Sequence, residues 1–130
     1  MILLDTHAVL WLMIAPERLS LRAREALLTA RQTGEQIACA QISIYEIAYS
    51  AFRKRLDLHT SSEDFAAAIE SRIDVLPLTT RIALCAAELP APFHSDPMDR
   101  LIVATAIVAN CILLTKDEQI RQANLCRVLW

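Results

Sequence analysis

Five short, predominantly apolar runs, at residues 2–4, 36–40, 75–78, 112–114 and 126–129, are separated from one another by segments with helical signals. Strands that alternate apolar and polar residues bury one face; continuous apolar runs bury both, which parallel sheets achieve by carrying crossover helices on each side. The pattern therefore predicts an α/β fold with a central parallel sheet, in a single domain spanning residues 1–130.

The punctuation between the runs agrees. Ile2-Leu3-Leu4 hands over at Asp5 to a loop or helix. Ser20 caps a helix whose apolar positions include Leu19, Ala23, Leu27 and Ala30, and Gly34 ends it. Ser43-Ile44-Tyr45-Glu46 has the form of a capping box opening a helix that ends at Arg53-Lys54-Arg55. A further helix follows Ser61 and Ser62 to about Arg72; Thr79 caps another, ended by Pro90; Asp96-Pro97 starts the next, and Asp117 a short last one.

Composition removes several classes of function. Gly34 is the sole glycine, so the glycine-rich loops that cradle phosphates in nucleotide-binding proteins are absent. A protein that handles phosphates without such loops does so with side chains or a metal. Cys39, Cys85, Cys111 and Cys126 form no C-x-x-C pair and no C-x5-R motif, and their apolar neighbours predict buried free thiols of a reducing compartment. The apolar stretch 1–14 lacks a basic leading segment and is interrupted by Asp5, so it is not read as a secretory signal. The uncharged run 101–115 is shorter than the roughly 20 residues a bilayer requires, so no membrane contact is expected and the location predicted is the cytoplasm. A net charge of -2 rules out a generally basic nucleic-acid coat, leaving only local contact with nucleic acid.

In an open parallel sheet the loops after the carboxyl ends of the strands share one rim. Four acids fall there: Asp5 after the first strand, Glu46 in the helix after the second, Asp99 in the first turn of the helix before the fourth, and Asp117 after the fourth. Singly, each has an ordinary use, because a carboxylate in a first helical turn satisfies free N–H groups and complements the dipole. Together they repel one another, and Asp5 closes an all-apolar strand where an ionised group needs a partner. A hard divalent cation is the natural counter-charge.

The segments Asp5-Thr6-His7-Ala8-Val9-Leu10-Trp11, Ser43-x-x-Glu46, His94-Ser95-Asp96-Pro97-Met98-Asp99-Arg100 and Thr115-Lys116-Asp117 make the chain resemble, along its whole length, the PIN-domain nucleases, and within them the VapC-type toxins of bacterial toxin–antitoxin pairs. The resemblance implies a PIN-like three-layer α/β/α sandwich and endoribonuclease activity dependent on Mg²⁺ or Mn²⁺. It also implies a cognate antitoxin, an RNA substrate and a homodimer. Asp5, Glu46, Asp99 and Asp117 match the family's acidic site; Asp99 is preferred over Asp96, which is left as the cap before Pro97. Arg55 stands where relatives often carry glycine.

Around the acids, Thr6 and Thr115 are read either as turn formers or as orienting hydroxyls, Ser43 as the cap that aims Glu46, and His7 and His94 as flanking residues without a zinc motif. The triplet Arg53-Lys54-Arg55 either grips an RNA backbone or complements a helix dipole. Two rival readings stand beside the nuclease. A phosphoaspartate protein of receiver or haloacid-dehalogenase type also places an acid after its first strand, but Leu4, Thr6 and His7 occupy the positions where those families need further acids. The other rival is a catalytically silent PIN-like binding module, against which stands the presence of all four acids.

Overall fold

A computed structural model describes residues 1–90, 93 and 96–130; the Pro90 to Ser95 loop and His94 fall largely or wholly outside the described residues. Five parallel strands, β1 (Ile2–Leu4), β2 (Ile37–Ala40), β3 (Asp74–Leu76), β4 (Ile112–Leu114) and β5 (Val128–Leu129), form one sheet in the order β3-β2-β1-β4-β5. The register aligns Leu4 with Cys39 on one side and with Leu114 on the other. The carboxyl ends of β1, β2 and β4 therefore finish level with one another.

Among the described residues the helices are α1 (Thr6–Ile14), α2 (Leu21–Thr33), α3 (Gln41–Phe52), α4 (Ser62–Glu70), α5 (Thr80–Glu88), α6 (Pro97–Val108) and α7 (Glu118–Ala123). They lie on both faces because the strand side chains alternate between two apolar clusters. Ile2, Leu4, Cys39 and Leu114 pack with Val9 and Trp11 of α1, Leu27 of α2 and Phe65 and Ile69 of α4. Leu3, Ala38 and Leu113 pack with Ile102 and Val103 of α6 and Ile120 of α7, and α5 lies outside α6 through Ile82, Ala86 and Ala104. This is the three-layer sandwich expected from doubly buried strands.

Helix starts follow their side chains. Asp5, Ser20, Ser61, Thr79, Asp96 and Asp117 each occupy an N-cap and accept a hydrogen bond from a backbone N–H two or three residues on. Gly34 ends α2 in the left-handed region, at φ 72°. Ser43 is a correction: α3 starts at Gln41 directly off β2, Ala40 holds the cap position with no side-chain bond, and Ser43 is buried inside the first turn. No capping box forms, because Ser43 points into the core. In the turn after α3 the left-handed residue is Lys54, at φ 55°. β3 is shorter than expected because Pro77 offers no ladder N–H and Leu78 is exposed.

Of the four free cysteines, Cys39 and Cys111 are buried while Cys85 and Cys126 are half-buried. Burial pushes the Cys39 thiol up to about 12 and the Cys126 thiol up to about 11, so neither is a ready nucleophile. Arg100 ties the outer layer down. Its Nε donates to Ala86 O at 3.0 Å and its Nη2 to Leu89 O at 2.8 Å, closing the carboxyl end of α5 onto the first turn of α6. Among the described residues, no helix is long and apolar enough to cross a membrane.

Candidate active site

Among the described residues buried polar groups are few, and four of the five, Asp5, Thr6, Ser43 and Thr115, sit where β1, β2 and β4 end; Thr105 is the fifth and bonds within its own helix to Leu101 O. The central element is Asp5, 5 % exposed. Its Oδ1 accepts from Ala8 N–H at 2.6 Å, capping α1, and its Oδ2 accepts from the Thr115 hydroxyl. Thr115 Oγ1 in turn accepts from Asp117 N–H at 3.0 Å, and Asp117 Oδ1 accepts from Ile120 N–H at 2.9 Å as the cap of α7. A continuous hydrogen-bonded line thus runs from the start of α7 to the start of α1, across the junction of β4 and β1.

Thr6 makes a second line. Its Oγ1 lies 3.0 Å from Glu46 Oε2 and 3.1 Å from Ser43 Oγ. A hydroxyl has one proton, and a carboxylate is the stronger acceptor, so Thr6 donates to Glu46 and the Ser43 hydroxyl supplies the proton of the other contact. Thr6 and Thr115 are therefore more than turn formers: each fixes one carboxylate. Ser43 supports Glu46 through Thr6, from inside the helix.

The electrostatics follow from burial. Desolvation raises the Asp5 carboxyl above its usual range, opposed by the Thr115 and Ala8 hydrogen bonds and by His7, and assisted by the charge of Asp117. Desolvation likewise raises Glu46, opposed by the Thr6 bond and His7, with Asp96 and Asp5 pushing the same way as burial. Asp5, Glu46 and Asp117 thus form one interacting set, with Asp96 as a further charge acting on Glu46. Asp99 sits half-buried in the first turn of α6, three residues beyond the cap Asp96. Among the described residues no lysine or arginine forms an ion pair with Asp5, Glu46 or Asp117, the ion pairs there being Met1–Glu35 and His59–Asp57.

The donors are carboxylates and hydroxyls, the chemistry of a hard oxygen-seeking cation. Among the described residues no three His, Cys, Asp or Glu side chains stand close enough together to hold a metal ion between them. The set fits a cation such as Mg²⁺, which keeps several waters and takes one or two carboxylates. Each oxygen of Asp5 is already hydrogen-bonded but retains a second lone pair.

Beside Thr6 and Glu46 opens a cleft of about 370 Å³, lined also by His7, Trp11, Arg18, Arg55 and Lys116. Its basic rim is scattered over the chain and was not visible as a patch in the sequence; only Arg55 belongs to the basic triplet.

Comparison with known proteins agrees with this architecture. Residues 2–125 match the PIN domain family. The chain is 34 % identical over 120 residues to Ribonuclease VapC22 of Mycobacterium tuberculosis, covering 92 % of this chain and 89 % of that one. The fold is shared with VapBC2 from Rickettsia felis, crystallised on a DNA fragment from its promoter (TM-score 0.76, 16 % identity, 99 % of this chain and 98 % of the other). It is shared too with a toxin-antitoxin complex from Klebsiella pneumoniae (TM-score 0.67, 18 % identity, 100 % and 97 % covered). Acids gathered at the level ends of β1, β2 and β4, a match over nearly all the chain and a full-length relative together place it: this protein belongs to the PIN-domain family, in its VapC-type branch.

Proposed function

We propose that this protein is a divalent-metal-dependent endoribonuclease, the toxin of a toxin–antitoxin pair, acting in the cytoplasm as a single domain over residues 1–130 and pairing with a second copy. The observation that carries the reading is Asp5: a buried carboxylate held on both oxygens, with the charge of Asp117 directed at it and, among the described residues, no ion pair to a lysine or arginine. A full-length relative named as a ribonuclease supports the substrate class, and a toxin-antitoxin complex of the same fold supports the protein partner.

Asp5, Asp99, Asp117 and Glu46 would hold Mg²⁺ or Mn²⁺ largely through its coordinated waters, with one or two of the carboxylates in direct contact. When bound, such an ion lowers the pKa of a coordinated water and offsets charge developing on the phosphate. The chain's own residues do the positioning. Thr115 aims Asp5 Oδ2, Thr6 aims Glu46 Oε2, and the helix caps fix Asp5, Asp96 and Asp117 by their backbone. Glu46, held by Thr6 beside the other acids, is the group placed to accept a proton from an attacking water. Hydrolysis of the RNA phosphodiester then leaves 5′-phosphate and 3′-hydroxyl ends.

The phosphoaspartate alternative is disfavoured by the neighbours of Asp5, because Leu4, Thr6 and His7 stand where that chemistry needs further acids. The test is cleavage of a short RNA by the purified chain in Mg²⁺. Cutting that stops in EDTA, returns with Mg²⁺ or Mn²⁺ and is lost in Asp5→Asn is expected; an Asp5→Asn variant that cuts at the wild-type rate would overturn the assignment. Expression alone should arrest growth, and co-expression with the antitoxin should restore it with the two proteins copurifying.

A further inference from the structure

The cleft beside Glu46 carries three cations that belong to no ion pair among the described residues: Arg18, Arg55 and Lys116, all exposed. They come from distant parts of the chain, Arg18 from the 3-10 turn after α1, Arg55 from the turn after α3 and Lys116 from the residue after Thr115. Cations beside a cluster of acids would be expected to fold onto the carboxylates and neutralise them. Two of these instead lie over an aromatic face. Arg18 Cζ stands 5.0 Å and Lys116 Nζ 4.6 Å from the ring of Trp11, which is itself buried and braced by Trp130 at 5.4 Å. The ring holds both cations in place by cation–π attraction while leaving their N–H donors free of carboxylate partners.

A cleft with cations on its rim, opening onto Thr6 and Glu46, takes an anion continuous with whatever sits at the acids. In a nucleic-acid strand, a phosphate placed at the acids brings the next phosphate along with it. We propose that this cleft is the grip for the RNA backbone beside the cleaved bond, in which Arg18 and Lys116, held by Trp11, and Arg55 contact the flanking phosphate. The proposal rests on the ribonuclease reading and deepens it: the grip is independent of base sequence, and Lys116 and Arg18 are positioning residues that touch substrate without taking part in bond cleavage. Phosphate contacts of this kind fix register along the strand and add affinity.

Steady-state cleavage of a short single-stranded RNA, measured across a KCl series with the full chain, decides it. Lys116→Gln and Arg18→Gln should each lower kcat/KM roughly three- to five-fold through KM, leave kcat near wild type and reduce the slope of log(kcat/KM) against log[KCl] by about 0.7. The charge-keeping variants Lys116→Arg and Arg18→Lys should restore both values; a merely structural role for Trp11's neighbours would lower the melting temperature of the Gln variants and leave the salt slope unchanged. Neutralised variants that keep the wild-type KM and salt slope would overturn the proposal while leaving the ribonuclease reading intact. Variants that keep both but no longer bind the antitoxin would assign the cleft to a protein and overturn it as well. Should the wild-type chain cut no RNA, both readings fall.

Discussion

At Asp5 two neighbours of the same carboxylate act in opposite senses. Asp5→Asn removes a desolvated charge that Asp117 repels, yet an asparagine oxygen still caps α1 by accepting from Ala8 N–H. Its melting temperature at neutral pH should equal or exceed that of the wild type. Thr115→Val keeps shape but takes the donor from Asp5 Oδ2 in a buried setting and the acceptor from Asp117 N–H in a part-buried one, at a cost of about 1–3 kcal/mol. Calorimetry should show Thr115→Val melting below wild type and Asp5→Asn no lower than wild type, and a Thr115→Val as stable as wild type would deny the hydroxyl its linking role. That role was not readable from sequence alone. Thr115-x-Asp117 announces a local turn, whereas the contact with Asp5 spans 110 positions and exists only because β1 and β4 pair in the register that sets Leu4 beside Leu114.

Elements were legible where local chemistry decides them and illegible where packing does. Ser20, Thr79, Asp96 and Asp117 act as the caps their sequence contexts announce, since an N-cap is a bond within one turn. Ser43 has the same local pattern and fails it, because α3 leaves β2 so directly that the third residue of the helix is already in the core. The start of α6 separates two acids by the same logic. Asp96 accepts from Met98 N–H at 2.8 Å, a bond asparagine can make, although its charge also reaches Glu46. Asp96→Asn should therefore keep stability and most activity. Asp99→Asn should keep stability and lose activity, because a first-turn position does not depend on that carboxylate for capping. Matched melting and RNA-cleavage assays on the pair would exchange the two roles if the losses came out reversed.

For the molecule as a whole, the acids at the end of the sheet make stability depend on pH and metal together. The usual values from which Asp5 and Glu46 are raised are 3.8 and 4.5. A carboxyl whose folded pKa exceeds its unfolded pKa binds protons more tightly in the folded state between those two values, so stability falls as pH rises through that interval and is level above it. The metal-free protein should thus lose stability from about pH 4 upward through the mildly acidic range, in contrast to a protein whose acids are salt-bridged. A divalent cation binds only the ionised carboxylates and competes with those protons. Its stabilisation should be largest where the acids are fully ionised: at a concentration about 100 times its Kd, roughly 2.7 kcal/mol. The melting temperature should consequently rise with Mg²⁺ at pH 8, rise much less at pH 5, and in Asp5→Asn respond weakly at both. A wild-type response to Mg²⁺ that is the same at the two pH values would separate the metal from these carboxylates, even if RNA cleavage proved metal-dependent.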